Sequence, residues 1–170
     1  MVDEFSFNDG DMHAEGFDTN GDGVVDEVFV DSNGDGLIDT LLLDTNGDGS
    51  FDAFVSDTDG DGLVDAIASD TDNDGRFDVF AVDTTGDGQF DTEVADANGD
   101  GQVDTFARDI NGDGFADVVA FDTNADGRSD VVMGDTNANG TLDAIAMDNE
   151  HATELDVFAI RFDDSDLKNA

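Results

Sequence analysis

One feature constrains this chain more than any other: a thirteen-residue unit that recurs ten times without a gap. The first copy is DTNGDGVVDEVFV from Asp18, and the last is DTNANGTLDAIAM, from Asp135 to Met147. Between them, copies begin at Asp31, Asp44, Asp57, Asp70, Asp83, Asp96, Asp109 and Asp122. A strict short period predicts a stack of like units, each covering its neighbour's apolar residues. No insertion or shift of composition breaks the period, so a single domain is expected over residues 1–170. The flanks read as worn copies, 5–17 capping one end and 148–160 the other, with 161–170 as a polar tail.

Within the unit, position 6 is Gly in all ten copies and position 4 is Gly in seven. Such regularity predicts a tight turn with a backbone angle that Gly adopts at little cost. Positions 7–13 are rich in Val, Phe, Ile and Thr and read as a short strand. The competing reading is a one-turn helix starting from the apolar residues at positions 8 and 11. The short span and the β-branched content favour the strand. In a regular strand, positions 8 and 11 face opposite sides. Either a bulge at the Asp of position 9 brings both inward, or one row covers a second surface.

Composition decides what the unit is for. The chain carries 45 Asp and Glu against 5 Lys and Arg, a formal charge of −40. That balance repels phosphate and excludes nucleic-acid binding as a reading. No apolar run reaches the ~18 residues of a membrane span. The opening MVDEFSFNDGD shows neither the basic start nor the apolar run of a cleavable signal. An acidic disordered tail has few aromatics, whereas this chain has 14 Phe.

The acids are not scattered. Position 1 is Asp in ten copies, position 9 in ten and position 5 in nine, and Asp59 and Asp72 add two at position 3. Together these are 31 of the 45 acidic residues. The spacing Asp-x-Asn/Asp-x-Asp-Gly-x-x-Asp is that of a loop wrapping a hard cation in oxygen. Side chains at positions 1, 3, 5 and 9 and the carbonyl of position 7 are the candidate ligands. The first five copies supply Asp18, Asn20, Asp22, Val24 and Asp26; Asp31, Asn33, Asp35, Leu37 and Asp39; Asp44, Asn46, Asp48, Ser50 and Asp52; Asp57, Asp59, Asp61, Leu63 and Asp65; and Asp70, Asp72, Asp74, Arg76 and Asp78. The last five supply Asp83, Thr85, Asp87, Gln89 and Asp91; Asp96, Asn98, Asp100, Gln102 and Asp104; Asp109, Asn111, Asp113, Phe115 and Asp117; Asp122, Asn124, Asp126, Arg128 and Asp130; and Asp135, Asn137, Asn139, Thr141 and Asp143.

Two carboxylates about 5 Å apart repel by roughly 3 kcal/mol at an effective dielectric near 20. Repeated through ten loops, this repulsion predicts a metal-free chain that is expanded and folds as ions bind. All-oxygen loops favour Ca²⁺ over Mg²⁺. With no Cys, and His only at 13 and 151, softer metals find few ligands. Lanthanides, hard ions of similar size, are expected to be tolerated. The tenth loop, with Asn139 at position 5, is expected to bind weakest.

At these residues the chain resembles known calcium-loop families. DTDGDGLVD at Asp57–Asp65 is similar to the bacterial thrombospondin type 3 repeat, and DTNGDGVVD at Asp18–Asp26 to dockerin and EF-hand loops. The loop-then-strand layout resembles the RTX β-roll. Departures accompany each likeness. Position 12 is apolar where an EF-hand has Glu, there is no Cys, and the RTX double glycine is absent. What the resemblance implies is calcium ligation at positions 1, 3, 5, 7 and 9.

The fold expected is all-β: a calcium-stabilised parallel β-solenoid, β-roll-like, with two repeats per coil and ions filed along each edge. One repeat per coil and an irregular calcium-threaded wire are the alternatives. The expected role is a non-catalytic structural, spacer or adhesive module; the alternative is an intracellular calcium buffer. His13 and His151 read as surface residues of worn copies rather than as an active site. Thr or Ser at position 2 in eight copies reads as a turn hydroxyl bonding local backbone. The protein partner, if any, is left open by the sequence.

Overall fold

The computed structural model describes residues 5–10 and 12–147. The expected C-terminal cap and tail, and His151 with them, lie outside the described residues. The chain divides into two compact units, Met1–Phe90 and Asp91–Ala170.

The first unit holds β1 (Phe5–Asp9), β2 (Met12–Phe17), β3 (Glu27–Asp31), β4 (Thr40–Leu43), β5 (Ala53–Ser56), β6 (Ala66–Ser69) and β7 (Val79–Val82). The second holds β8 (Thr92–Ala95), β9 (Thr105–Arg108), β10 (Val118–Phe121), β11 (Val131–Gly134) and β12 (Ala144–Met147). The described residues contain no helix. Each full repeat supplies one strand, from its positions 10–13, and residues 5–17 form a hairpin turning at Gly10 (φ 73°).

Within each unit every strand pairs antiparallel with its neighbour in sequence, from β1 to β7 and from β8 to β12. The expected parallel pairing is therefore corrected. The reason lies in the loop. Phe17 pairs directly with Glu27, and the Asp26 N–H donates to the Phe17 carbonyl at 2.8 Å. The same closure recurs from Asp39 to Val30 and from Asp52 to Leu43. A loop whose two ends close on each other is a hairpin, while a parallel crossover needs about a dozen or more residues of connection. The expected reversal at each loop occurs, but it sets each strand beside its predecessor rather than in a facing sheet.

Successive hairpins place loops alternately at the two ends of the strands. Alternate loops become neighbours, because the Asp44 N–H donates to the Asp26 carbonyl at 2.7 Å and Asp57 to Asp39 at 2.8 Å. Adjacent loops on one edge are thus 26 residues apart in the chain, and the expected coil of two repeats is replaced by two successive hairpins. These neighbours stand roughly 9.6 Å apart, two strand spacings.

Directly paired residues share a face. In the first unit one face carries Val28, Leu42, Phe54, Ala68 and Phe80, and the other Phe29, Leu41, Val55, Ile67 and Ala81. Both faces are apolar, whereas many antiparallel sheets leave one face polar. Phe77, at position 8, sits 6.4 Å from both Phe54 and Phe80 between ring centroids. Phe80 is position 11 of the same repeat, so positions 8 and 11 share a face. They can do so because the strand begins only at position 10, and position 9 turns its carboxylate back into the loop.

Burial is inverted relative to an ordinary core. Asp26, Asp18 and Asp78 keep only 3%, 4% and 5% of their surface, while Leu37 keeps 62%. The buried apolar residues are small: Ala14, Val28, Ala68, Ala81 and Ala120. Among the described residues the best-enclosed charged groups are thus the carboxylates of positions 1 and 9.

Candidate metal centres

Each loop is a cage of backbone N–H groups around two carboxylates. The Asp of position 1 anchors the turn. In the first loop the Gly21 N–H donates to Asp18 Oδ1 (2.6 Å) and the Gly23 N–H to Oδ2 (2.9 Å). The bond from position 6 to position 1 recurs in all ten loops. The Asp of position 9 closes the loop from the other side. Asp26 Oδ2 accepts from the Thr19 N–H (2.6 Å), the Thr19 hydroxyl (2.8 Å) and the Asn20 N–H (2.9 Å).

The glycine pattern follows from this wrapping. At position 6, φ reaches +94° at Gly23 and +91° at Gly62, a region costly for any residue with a Cβ. At position 4 the three non-glycines, Asn73, Ala125 and Ala138, lie at +61°, +58° and +55°. That is ordinary left-handed helical space, which Asn and even Ala can occupy at modest cost. Position 6 is therefore always Gly and position 4 only usually so.

Positions 3, 5 and 7 form the mouth. The Asp22 N–H donates to Asn20 Oδ1, and the Val24 N–H to Asp22 Oδ1, both at 2.8 Å. The N–H of position 7 donates to the side chain of position 5 in every loop, Thr141 to Asn139 included. The position 5 side chains are exposed throughout, from Asp22 to Asn139. An Asn at position 3 reaches across the mouth, as when Asn20 Nδ2 donates to Asp26 Oδ1 at 2.8 Å. Asn46, Asn98, Asn111, Asn124 and Asn137 do the same at 2.6–3.0 Å.

Four loops bring three or more carboxylates within 4.8 Å of one another: Asp18, Asp22 and Asp26; Asp44, Asp48 and Asp52; Asp57, Asp59 and Asp61; and Asp70, Asp72, Asp74 and Asp78. All four lie in the first unit. Among the described residues the other six loops gather no such trio. These donors are all carboxylate oxygens, the set a hard divalent cation takes.

The carboxylates differ in acidity for identifiable reasons. The Thr19 hydroxyl holds Asp26 below its ordinary value against the opposing effect of burial, and the Asn20 and Thr19 N–H groups assist. Asp39, Asp52, Asp65 and Asp130 are lowered in the same way, led by the hydroxyls of Ser32, Thr45, Thr58 and Thr123. At Asp83, burial pushes upward but is outweighed by the N–H groups of Gly88, Gly86 and Thr85. Asp72 goes the other way. Partial desolvation by the surrounding loop raises it although the residue is exposed, and the charges of Asp78, Asp74 and Asp70 add to that rise against one opposing bond from the Asp74 N–H.

The hydroxyl row at position 2 has a sharper role than a backbone-bonding turn residue. Thr19, Ser32, Thr45, Thr58, Thr71, Thr123 and Thr136 each donate to the carboxylate at position 9 of their own loop. The signal was present in the sequence as the pairing of a frequent hydroxyl with an invariant Asp seven residues later. His13 bonds Glu15 through Nε2 at 3.0 Å on β2, and no loop carboxylate takes part. No protein family, curated protein or solved structure matches this chain.

Proposed function

We propose that this chain is a calcium-binding repeat protein whose folding and rigidity depend on about ten ions, one per loop. Its role is that of a non-catalytic structural, spacer or adhesive module. The observation that carries the reading is the fifth loop, where Asp70, Asp72, Asp74 and Asp78 converge within 4.8 Å and, among the described residues, no cationic side chain pairs with them. Four like charges held together at that distance are stable only with a counter-charge among them. Oxygen-only donors and a wrapped, flexible loop select Ca²⁺ rather than Mg²⁺. Calcium supplies that counter-charge; the chain's own part is to pre-set the carboxylates with backbone N–H groups and to close each loop at positions 1 and 9.

The test begins from chelated protein. Calcium is titrated in by calorimetry while strand content is followed by circular dichroism and dimensions by X-ray scattering. Heat of binding should accompany a gain of strand signal and a fall in radius. A chain equally compact and ordered in chelator overturns the proposal. The affinity then places the role: millimolar dissociation constants fit an extracellular module, and sub-micromolar ones a calcium store.

A further inference from the structure

The repeat is invariant at positions 1, 6 and 9 and irregular in the side chain of position 7, which points out of the loop. Arg, Gln, Ser and Thr fill six of the ten copies there. In the second and fourth copies, which are neighbours on one edge, the residues are Leu37 and Leu63, each followed by another aliphatic, Ile38 and Val64. With Phe29 and Leu41 these four line a cleft of about 430 Å³. Leu37 keeps 62% of its surface, Ile38 49% and Leu63 44%. Asp39 and Asp57 stand at its margin and also line an adjoining polar groove with Asp59.

We propose that this cleft docks a cationic amphipathic segment of another protein, with apolar side chains in the cleft and Lys or Arg facing the net negative charge that the two adjoining loops keep once each holds a divalent ion. Charge decides the occupant. A second copy of this chain brings another −40, and ten divalent ions leave each copy at about −20, so like-charge repulsion persists. The chain's own 148–170 segment is also acidic, with seven Asp and Glu against Arg161 and Lys168. A partner that complements both the apolar lining and the anionic margin carries apolar residues at helical spacing with basic residues flanking that stripe.

The test uses the full chain in saturating calcium and a short Leu/Lys peptide with helical amphipathic spacing. A scrambled isomer of the same composition controls for simple charge attraction. The amphipathic peptide should bind roughly tenfold or more tightly than its isomer. The double variant Leu37→Ser and Leu63→Ser should abolish that preference, while Ile110→Ser, at an equally exposed apolar residue elsewhere, should leave it intact. Both leucines are exposed, and unchanged circular dichroism confirms that the variant folds. Equal binding of the two peptides, or a preference that survives the double variant, overturns the proposal. So does sedimentation showing that the chain alone dimerises through these leucines. Because calcium titration is read separately, failure of the docking is distinguishable from failure of the calcium assignment.

Discussion

The fifth loop, Asp70–Asp78, and the tenth, Asp135–Asp143, share one backbone frame and differ in charge, four carboxylates against two. In both, the position 6 glycine donates to the position 1 carboxylate, Gly75 to Asp70 at 2.8 Å and Gly140 to Asp135 at 2.7 Å. The fifth fills its mouth with acids, and four carboxylates converge. The tenth fills it with Asn137 and Asn139. Asn137 Nδ2 donates to Asp143 at 2.6 Å, and Asn139 Oδ1 accepts from Thr141 at 2.9 Å. The tenth loop satisfies itself with neutral amides, and the fifth does not. The frame is thus set by positions 1, 6 and 9, and the demand for an ion by positions 3 and 5.

Calcium removal should separate the two loops most strongly. A site held at a hundred times its dissociation constant contributes about 2.7 kcal/mol to the folded state. In chelator, amide hydrogen exchange should rise by about a hundredfold in β6 and β7, which flank the fifth loop, and by much less in β11 and β12. Equal loss of protection around both loops breaks the comparison and makes the ion demand a property of the frame. A smaller effect comes from swapping mouth residues. Asp72→Asn should weaken calcium binding at the fifth loop by roughly tenfold and leave the chain less expanded in chelator, since it removes a crowded charge. Asn139→Asp should do the reverse at the tenth. Site-resolved NMR titration reads the first effect and X-ray scattering in chelator the second. Variants that shift affinity and metal-free compactness in the same direction contradict the assignment.

These contrasts show how far the sequence could be read. One strand per unit, the turn at the glycines and the grouping of acids followed from the period, because each is local to one unit, but the strand covers positions 10–13 rather than the expected 7–13. Strand direction did not. A reversing loop fits a hairpin or a coil equally well, and the choice rests on the bond from the Asp26 N–H to the Phe17 carbonyl, which spacing alone does not reveal. The shared face of positions 8 and 11 was hidden for a related reason, since Phe77 reaches Phe80 only because the strand starts two residues later. That acids group within the loops was legible, but not which loops bring them together. Three or more carboxylates converge in the first, third, fourth and fifth loops, whereas the second, with the same acids as the first, gathers no trio among the described residues. That difference comes from side-chain placement within nearly identical frames.

Backbone strain provides a finer probe. Gly75 in the fifth loop has φ +87°, and the nearest atom to an added Cβ is Ser50 Oγ at 3.7 Å, so an alanine there meets strain rather than a clash. Gly75→Ala should cost about 1–2 kcal/mol in calcium-saturated denaturant melts. Ala138→Gly in the tenth loop, at φ +55°, relieves a milder strain and should change stability by less than about 1 kcal/mol. A larger effect at Ala138 than at Gly75 would mean that position 4, not position 6, sets the bend.

The smallest difference is in acid titration of the metal-free protein, and its sign is opposite in the two loops. At Asp135, burial pushes the carboxyl upward, but the N–H groups of Asn137, Gly140, Ala138 and Asn139 outweigh it, and the folded value lies below 3.8. Its contribution to stability is present above that unfolded value and is lost as pH falls through the lower folded one. Asp72 is raised above 3.8, first by partial desolvation in the loop mouth and then by its acidic neighbours. The folded fifth loop therefore takes up a proton before the unfolded chain does, and the penalty that Asp72 imposes at neutral pH is relieved as pH falls through its raised value. On acidification the fifth loop should relax first, while the tenth holds until the pH drops below about 3.8. Carbon-detected NMR of the side-chain carboxyls in chelator, under conditions that keep the chain folded, reads the order directly. Asp72 titrating at or below Asp135 would remove the crowding on which the contrast between the loops rests. Thr71→Val sharpens the same measurement from the other side. Asp78 is held low first by the Thr71 N–H and then by its hydroxyl, so deleting the hydroxyl should move Asp78 upward toward Asp72 and leave Asp135 where it was.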